Sequence, residues 1–251
     1  MTLSDDQLDR YARHIILKEI GGRGQMKLLG AHVAVIGAGG IGSPAIQYLA
    51  AAGIGQLTVI DDDVVALSNL QRQTIFATAD IGRPKANVAA EAVARLTPDT
   101  QVTATARRID AENAPELLAG VDVVLDGCDN FGTRLAVADA CLALRIPLVS
   151  AAVGQFEGQL ATYRGWEADK PCYRCFVGND PDRPDISCAD QGVLGALTGV
   201  MGSLAALEVV RAVTGLGEDS AGKLLLADLL RLSFRTLKLP KDPGCPACGA
   251  A

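Results

Sequence analysis

A glycine-rich loop between a short apolar run and an alanine-rich segment constrains the fold of this chain more than any other feature. The run His32–Ile36 predicts a buried strand, and Ser43–Ala52 predicts a helix. The loop between them, Gly-Ala-Gly-Gly-Ile-Gly from Gly37 to Gly42, has the G-x-G-x-x-G spacing. This spacing allows a tight turn and lets a phosphate approach the backbone at a helix N-terminus. It favours a nucleotide site over a turn without a ligand, but it does not separate NAD, FAD and ATP.

Strands and helices alternate along the segment that follows. Apolar runs predict strands at Gln56–Ile60, Val102–Ala106, Val121–Leu125 and Pro147–Ala151, with helices at Lys85–Leu96 and Thr133–Leu144. This alternation is typical of a Rossmann-like α/β fold with a doubly wound, mainly parallel sheet. Ligands of such sheets bind beyond the carboxyl ends of the strands. Gly37, Asp61 and Asp129 each follow a predicted strand, so we expect them to face one crevice.

The two ends of the chain do not share this alternation. Residues 4–29 predict one or two helices, because apolar side chains recur there at helical spacing. Beyond the fifth strand, the predicted elements are an antiparallel strand at Gly158–Arg164, a mobile loop at Gly178–Asp190, a long apolar helix at Gly192–Thr214, and a hairpin of Lys223–Leu229 and Ser233–Leu239. We therefore expect an N-terminal helical segment and a C-terminal antiparallel extension of the sheet.

Composition argues against several classes of function. The formal net charge is −6 and the pI is about 5.0, whereas binding to nucleic acid needs a basic face. No run of about 18 residues is both apolar and free of charges and glycines, so we expect no membrane span. Residues 1–10 lack the basic flank and apolar core of a secretory signal, which predicts a cytoplasmic protein.

Four of the seven cysteines form two C-x-x-C units. Cys172 and Cys175 make the first unit, and Cys245 and Cys248 make the second. In a cytoplasmic protein such pairs bind metal or do redox chemistry more often than they form structural disulfides. Four thiolates suit a closed tetrahedral zinc site. We therefore expect a structural zinc ion that ties the C-terminal segment to the first unit, rather than four ordinary buried thiols.

The other three cysteines do not form pairs. Cys128 and Cys141 are expected in or near the core. Cys188 precedes the long apolar helix, where a thiol can have a lowered pKa and act as a nucleophile. The alternative for Cys188 is an inert thiol.

Charged residues beyond the second and fourth strands favour a triphosphate ligand. Arg72 can bind two phosphate oxygens at once and Lys85 can act as a point charge, although both also suit a solvated surface. Asp126 and Asp129 close the fourth strand, where a carboxylate beside phosphates is a natural Mg²⁺ ligand. Asp and Asn are also favoured at helix N-caps, so these residues and Asn130 are equally consistent with a cap.

Together these segments resemble the MoeB/ThiF/HesA family, the bacterial relatives of ubiquitin-activating enzymes. The resemblance covers nearly the whole chain, and the ordered set of motifs is far more specific than any one of them. The matching segments are Arg10-Tyr11-Ala12-Arg13-His14, the loop from Gly37 to Gly42, Ser68-Asn69-Leu70-Gln71-Arg72-Gln73, Lys85, Cys128-Asp129-Asn130, Cys172-Tyr173-Arg174-Cys175, Ser187-Cys188 and the final C-x-x-C.

This resemblance implies an ATP-dependent adenylyltransferase that uses Mg²⁺. The implied substrate is a small ubiquitin-like sulfur carrier with a C-terminal Gly-Gly, as in molybdopterin or thiamine biosynthesis. Its carboxylate would attack the α-phosphate of ATP to give an acyl-adenylate and pyrophosphate. A carboxylate is already ionised at neutral pH, so catalysis would rest on positioning and charge neutralisation rather than on a histidine base. The chain has only two histidines.

The resemblance also divides the chain and assigns its residues. It implies one adenylation domain over 1–251, with N-terminal helices in 1–30, a nucleotide-binding half in 31–152 and a zinc-containing, carrier-binding half in 153–251. Arg13 would enter the site of a neighbouring subunit, which implies a homodimer. Cys188 matches a family cysteine that can form a thioester or acyl-persulfide. The residues implied in catalysis are Arg13, Arg72, Lys85, Asp129 and Cys188.

In nucleotide binding, Asp61 would contact the ribose, Gly39 the phosphate region, and Asp129 the Mg²⁺ ion. Asn69, Arg72 and Lys85 would hold the phosphates. The full implied set is Gly37, Gly39, Gly40, Gly42, Asp61, Asp63, Asn69, Arg72, Gln73, Lys85, Asp129 and Asn130.

Two other functions share parts of this pattern. An NAD-dependent oxidoreductase would use the glycine loop and Asp61, but it would not explain Arg72, Lys85 and Asp129 together. A non-catalytic nucleotide sensor would bind ATP without pyrophosphate chemistry. No rhodanese-type segment follows the last C-x-x-C in this sequence, so we expect a separate sulfur donor, either a cysteine desulfurase or a rhodanese-type protein.

Overall fold

The computed structural model describes residues 2–178 and 192–249, and its centre is one eight-stranded sheet. The strands are β1 (His32–Ile36), β2 (Gln56–Ile60), β3 (Gln101–Thr105), β4 (Val123–Asp126), β5 (Leu148–Gly154), β6 (Glu157–Tyr163), β7 (Lys223–Asp228) and β8 (Ser233–Lys238). Their order in the sheet is β3-β2-β1-β4-β5-β6-β7-β8. Neighbouring strands are parallel from β3 to β5 and antiparallel from β5 to β8. The strand order reverses between β1 and β4, which creates a crevice at their carboxyl ends.

Helices connect the strands and cover the sheet. They are α1 (Asp5–Arg10), α2 (Ala12–Ile15), α3 (Gly21–Gly30), α4 (Gly42–Ala51), α5 (Lys85–Leu96), α6 (Ala114–Leu117), α7 (Phe131–Leu144), α8 (Tyr173–Val177) and α9 (Gly195–Thr214). Two short 3₁₀ turns, Leu67–Asn69 and Thr78–Asp80, lie between β2 and α5.

Successive side chains of the central strands enter two separate apolar cores, because a strand alternates its side chains between the two faces of a sheet. Val33 and Val35 of β1 belong to the first core, which α4, α5 and α9 complete. Ala34 and Ile36 belong to the second core, which contains α7. Burial on both faces explains why these parallel strands appear in the sequence as continuous apolar runs.

The predicted doubly wound fold with an antiparallel C-terminal extension is confirmed. The predicted bounds match those of β1, β2 and α5 and differ by a few residues elsewhere. The N-terminal segment contains three short helices instead of one or two. The sequence pattern misses α6 and α8, because helices of four and five residues are too short to show a helical period. The loop predicted at 178–190 lies outside the described residues from 179 onward.

Within the described ranges, α9 is the one helix whose length and composition would allow it to cross a membrane. Its buried side chains include Leu197, Met201 and Val209, which belong to the first apolar core. The helix packs against α4 and β5. A helix at the core of a globular protein has the same length and composition, and this packing is typical of one.

The N-terminal helices are fixed to the rest of the fold by Asp99, which precedes β3. One of its carboxylate oxygens accepts a hydrogen bond from Nε2 of Gln7 at 3.0 Å, and the other accepts one from the Tyr11 hydroxyl at 2.8 Å. Tyr11 is buried where α1 meets α2. Gln25 of α3 is fully buried and donates to the carbonyl of Ala52 at 2.9 Å. These contacts fix the position of α2.

The Tyr11 anchor predicts a specific dependence of stability on pH. Burial, followed by the hydrogen bond to Asp99, raises the pKa of Tyr11 from 10.0 to about 12. The raised pKa belongs to the folded state, so the stabilisation is complete below a pH of about 10 and is lost as the pH rises toward 12. We expect Tyr11→Phe to lower the free energy of unfolding at neutral pH by about 2 kcal/mol. The substitution should also remove the decrease in unfolding free energy that the ionisation of Tyr11 causes at alkaline pH. Urea unfolding at increasing pH measures both effects.

Tyr48→Phe is the matched control, because the Tyr48 side chain on α4 is 60% exposed. That variant should have the same unfolding free energy at neutral pH as the unmodified protein, and the same decrease at alkaline pH. If Tyr11→Phe lost stability between pH 10 and 12 as steeply as the unmodified protein does, the assignment of this loss to Tyr11 would be wrong.

Candidate active site

A cavity of about 650 Å³ opens at the carboxyl ends of the parallel strands. Gly37, after β1, and Gly127, after β4, both line it, so it lies where the strand order reverses. The residues predicted for nucleotide binding that line this cavity are Gly37, Gly39, Gly40, Asp61, Asp63, Arg72, Gln73, Lys85, Asp129 and Asn130. The structure therefore brings these ten residues together around one space.

Backbone geometry explains two of the glycines in the loop. Gly37 has a φ of +85°, a conformation that residues with a side chain rarely adopt. A Cβ atom on Gly42 would lie 1.9 Å from the carbonyl oxygen of Gly37, so only glycine fits there. Gly42 closes the turn and is not a lining residue. A Cβ atom on Gly39 would meet only Nε2 of Gln73, at 3.7 Å, so this backbone is open to a ligand.

Asp61 joins the glycine loop to the end of β2. One carboxylate oxygen accepts a hydrogen bond from the N–H of Ala38 at 2.7 Å, and the other accepts one from the N–H of Asp63 at 2.9 Å. Burial raises the pKa of Asp61, while the charge of Lys85 and the two backbone hydrogen bonds act in the opposite direction. Each carboxylate oxygen has two lone pairs. Asp61 can therefore accept further hydrogen bonds from the hydroxyl groups of a ligand.

Lys85 places a nearly buried cation in the wall of the cavity. It is 3% exposed and begins α5. Its Nζ lies 2.8 Å from a carboxylate oxygen of Asp63, and its backbone N–H donates to the Asp63 carbonyl at 3.0 Å. An ammonium group has three donors. Lys85 can therefore bind a phosphate oxygen while it keeps its contact with Asp63.

The segment Ser68–Gln73 contributes Arg72 and Gln73 to the cavity, but not Asn69. Arg72 donates to the carbonyl of Ser68 at 3.1 Å. Gln73 is 4% exposed, and its Oε1 has no hydrogen-bond partner in the part of the chain that the structure describes. A buried amide with an unused polar atom beside a cavity is suited to a polar ligand. The side-chain amide of Asn69 instead lies 3.4 Å from Oγ of Ser68.

The polar residues at the end of β4 and just beyond it have three different environments. Asp126 is buried 3.2 Å from the guanidinium of Arg134, so its carboxylate is already paired. Oδ1 of Asn130 accepts a hydrogen bond from the N–H of Thr133 at 2.8 Å and caps α7. Asp129 is exposed and lines the cavity. Of the two alternatives left open by the sequence, the cap applies to Asn130, and Asp129 is the carboxylate that could hold a metal ion.

The four paired cysteines form a second site, here called the cysteine cluster: Cys172, Cys175, Cys245 and Cys248. All four Sγ atoms lie within 4.8 Å of one another. The Sγ of Cys172 lies 3.8 Å from that of Cys175 and 3.6 Å from that of Cys245, and the Sγ atoms of Cys175 and Cys248 are 3.4 Å apart. Sulfurs bound tetrahedrally to one zinc ion are about 3.8 Å apart, whereas disulfide sulfurs are about 2.05 Å apart. The cluster therefore fits a tetrahedral metal ion.

Residues 11–247 match the ThiF family. This chain belongs to the ThiF family. It is 48% identical to the SAMP-activating enzyme E1 of Haloferax volcanii, over 99% of this chain and 92% of that protein. It is 44% identical to the sulfur carrier protein ThiS adenylyltransferase of Escherichia coli, over 99% and 98% of the two chains. It is 40% identical to the molybdopterin-synthase adenylyltransferase of Salmonella typhimurium, over 98% of each.

Solved structures with lower identity share the fold of this ThiF-family chain. Escherichia coli MccB with MccA-N7isoASN superimposes with a TM-score of 0.85 at 22% identity, covering 98% of this chain and 75% of MccB. Escherichia coli MccB with ATP superimposes with a TM-score of 0.80 at 20% identity, covering 99% of this chain and 82% of that one. These similarities confirm the mixed α/β architecture.

One residue that the family resemblance assigns to catalysis does not line this cavity. Arg13 is an exposed residue of α2 and does not line it. Cys188 lies outside the described residues. Arg13 therefore does not contribute to the cavity of its own chain in this structure.

Sequence analysis also missed polar side chains that line the cavity, among them Arg107, Arg108, Arg134, Tyr173 and Thr198. Arg107 and Arg108 follow β3, so their position beyond the carboxyl end of a strand could have identified them. Thr198 of α9 packs against the glycine loop, where a Cβ atom on Gly40 would lie 3.0 Å from it. No local pattern marks Arg134. Tyr173 lies within the first C-x-x-C unit, whose spacing indicates a metal site and not a wall of the cavity.

Proposed function

We propose that this chain transfers AMP from ATP to the C-terminal carboxylate of a small ubiquitin-like sulfur carrier that ends in Gly-Gly. A carboxylate oxygen of the carrier would form a bond to the α-phosphorus while the bond to the β-phosphate oxygen breaks, which releases pyrophosphate. The observation that carries this proposal is the single cavity that gathers Asp61, Arg72, Lys85 and Asp129. Similarity to the sulfur carrier protein ThiS adenylyltransferase of Escherichia coli, which extends over 99% of this chain, supports the proposal.

The nucleotide would lie with its ribose against Asp61 and its phosphates toward the glycine loop. Asp61 would accept a hydrogen bond from a ribose hydroxyl. Arg72 and Lys85 would neutralise phosphate charge, and the amide of Gln73 would add a hydrogen bond. Because Lys85 is held by Asp63 before the nucleotide arrives, little reorganisation would be needed during the reaction. Asn69 would reach the phosphates only through a movement of the segment Ser68–Gln73.

The reaction proposed here needs no protein base, and the two histidines fit that expectation. Nδ1 of His14 lies 3.0 Å from Oε1 of Gln25, and Nε2 of His32 lies 2.8 Å from Oγ1 of Thr58. Neither histidine lines the cavity. The attacking carboxylate is ionised at neutral pH, so the residues would act by orienting it and by stabilising the charge that develops on pyrophosphate.

Asp129 is the residue that would hold Mg²⁺. Its carboxylate is exposed at the cavity, and oxygen ligands of this kind are those that Mg²⁺ prefers. When bound, Mg²⁺ would supply positive charge to the phosphates. Asn130, which caps α7, would help to fix the backbone on which Asp129 sits.

We assign the cysteine cluster a structural zinc ion. Four sulfur ligands complete a tetrahedral shell and leave no open position for a reacting group. The cluster joins Cys172 and Cys175, at the start of α8, to the segment after β8, so it would stabilise the second half of the chain. We propose that residues 31–152 bind the nucleotide and residues 153–251 bind the carrier, within one adenylation domain.

We propose a homodimer, as the family resemblance implies, and the position of Arg13 supports it. Because Arg13 is exposed and lies away from the cavity of its own chain, it would act in the site of a second copy. We further propose a cytoplasmic protein of molybdopterin or thiamine biosynthesis, with sulfur supplied by a cysteine desulfurase or a rhodanese-type protein. The covalent role that the family implies for Cys188 stays a prediction.

ATP–pyrophosphate exchange tests the reaction. We expect purified protein with Mg²⁺ to catalyse exchange in the presence of one of the organism's Gly-Gly-ending carriers, added one at a time. Asp129→Asn should reduce exchange at least about 100-fold, because the charge on pyrophosphate would lose its metal ion. Asp6→Asn, which changes an exposed carboxylate on α1, is the control and should keep full exchange. ATP binding without exchange for any carrier would favour a sensor, and protection from heat by NAD alone would favour an oxidoreductase.

Metal analysis tests the structural zinc ion. We expect one zinc ion per chain, and Cys248→Ala should lose it and lower the melting temperature by roughly 10 °C or more, since structural zinc contributes several kcal/mol. Cys141→Ala is the matched control, because Cys141 is a buried cysteine of the second apolar core outside the cluster. A protein without zinc that melts at the same temperature as the zinc-containing protein would rule out a structural role.

Mixing two inactive variants tests the contribution of Arg13 across a dimer. Arg13→Ala and Asp129→Asn should each have little exchange activity. In a mixed homodimer with two-fold symmetry, one site carries both changes and the other carries neither, so random mixing should restore about a quarter of full activity. Exchange would be measured after the two variants have equilibrated. Absence of any recovery, although mixed dimers are detected by mass spectrometry, would show that Arg13 does not act on the partner's site.

A further inference from the structure

Arg134 lines the cavity, but the protein itself uses the terminal nitrogens of its guanidinium. It lies on α7 and is 8% exposed. One terminal nitrogen donates to a carboxylate oxygen of Asp126 at 3.2 Å and to Oγ of Ser150 at 2.9 Å. The other donates to the carbonyl of Ala151 at 2.8 Å and to the carbonyl of Cys128. Each terminal nitrogen carries two N–H groups, so these contacts leave none of them for a phosphate.

These contacts join the ends of two neighbouring strands. Asp126 is the last residue of β4, and Ala151 lies in β5, which runs parallel to β4 beside it. The next two residues of β5, Ala152 and Val153, line the cavity. A guanidinium is planar and presents its donors in a rigid fork. Arg134 therefore fixes the turn beyond β4 relative to this wall of the cavity.

The turn that Arg134 holds is the one that carries Asp129. Before this residue, the N–H of Cys128 donates to a carboxylate oxygen of Asp126 at 3.1 Å. After it, the side chain of Asn130 caps α7. The carbonyl of Cys128 belongs to the peptide unit that leads into Asp129, and this carbonyl accepts from Arg134. Arg134 therefore fixes the plane of the peptide from which Asp129 begins.

The direction of the Asp129 side chain depends on that peptide plane. Asp129 is exposed, so packing around its own side chain is sparse and its backbone sets where the carboxylate lies. Without a donor from Arg134, the peptide between Cys128 and Asp129 would be free to rotate. The carboxylate would then turn relative to the cavity, while the cap on α7 would keep the helix in place.

We propose that Arg134 is a positioning residue that holds the peptide between Cys128 and Asp129, so that the Asp129 carboxylate faces the metal ion of the nucleotide. This inference rests on the proposed function, which assigns Mg²⁺ to Asp129. Arg134 acts on the metal ion only through Asp129. Groups that orient a metal ligand from behind commonly change metal affinity by about 10- to 100-fold when they are removed.

Two variants remove the donor to the Cys128 carbonyl by different routes. Arg134→Lys keeps the positive charge, and its single ammonium would stay with Asp126, the charged acceptor. Arg134→Met combined with Asp126→Asn removes both charges together, so neither is left buried without its partner. The asparagine can still accept from the N–H of Cys128. If one of these variants does not fold, the other decides the question.

Ser150→Ala is the matched control. It removes one acceptor of Arg134 but leaves the contact with the Cys128 carbonyl, and Ser150 does not line the cavity. The affinity for ATP would be measured by calorimetry with excess EDTA and with Mg²⁺, and the melting temperature would be measured for each variant. The Mg²⁺ concentration that gives half-maximal exchange is a further measurement.

We expect both Arg134 variants to need about tenfold more Mg²⁺ for half-maximal exchange and to lose most of the gain in ATP affinity that Mg²⁺ provides. Their ATP affinity in EDTA should stay close to that of the unmodified protein. Ser150→Ala should keep the full Mg²⁺ gain, even where its melting temperature falls. Adding Arg134→Lys to Asp129→Asn should cause little further loss of the gain, because Arg134 acts through Asp129.

Three results would overturn the inference: an unchanged Mg²⁺ gain in a folded Arg134 variant, an equal loss in Ser150→Ala, or a loss of ATP affinity that is as large in EDTA as in Mg²⁺. An unmodified protein whose ATP affinity does not respond to Mg²⁺ would overturn it as well. If the unmodified protein shows the Mg²⁺ gain but no exchange with any carrier, the proposed reaction fails, and the calorimetric comparison still decides the role of Arg134.

Discussion

The close approach of Gly37 and Gly42 is the contact on which the rest of the site depends. The Gly37 carbonyl occupies the place that a side chain at position 42 would need, so α4 begins directly beyond the end of β1. A Cβ atom on Gly37 would lie only 3.3 Å from the backbone of Cys128, so these two backbone segments are also close. Asp61 then joins the loop to β2. Backbone sterics thus bring three strand ends to one space before any ligand is present.

The cavity contains buried cations although the chain as a whole has a net negative charge. The two cations that are most buried there each have an acidic partner, Lys85 with Asp63 and Arg134 with Asp126. Such pairing offsets the cost of removing a charge from water and holds each cation in one place. Asp129 is exposed at the cavity and is not a partner in either pair. Acids that hold cations are therefore distinct from the acid that is free to meet a ligand.

The sequence predicts most of this fold because its central strands are buried on both faces and its glycine loop has a fixed spacing. It also predicts which strand ends carry polar groups. It does not predict the contacts of Arg134 with the end of β4 and with β5, because no local sequence pattern marks them. Nor does it separate Asn130 from Asp129, since a helix cap and a metal ligand use the same residue types. The role of Asn69 stays a prediction, because Asn69 does not line the cavity in this structure.

The cysteine cluster has a consequence for the order of events during synthesis. Cys172 and Cys245 are 73 positions apart, so the first pair of thiols leaves the ribosome long before the second pair is translated. In that interval α9 and the last two strands are made, and the nascent chain can offer only half a ligand set. Closure of the cluster therefore has to follow synthesis of β8 and of the segment beyond it. A chain interrupted before this point retains two thiols without their partners, a chemical mark that distinguishes it from a finished protein.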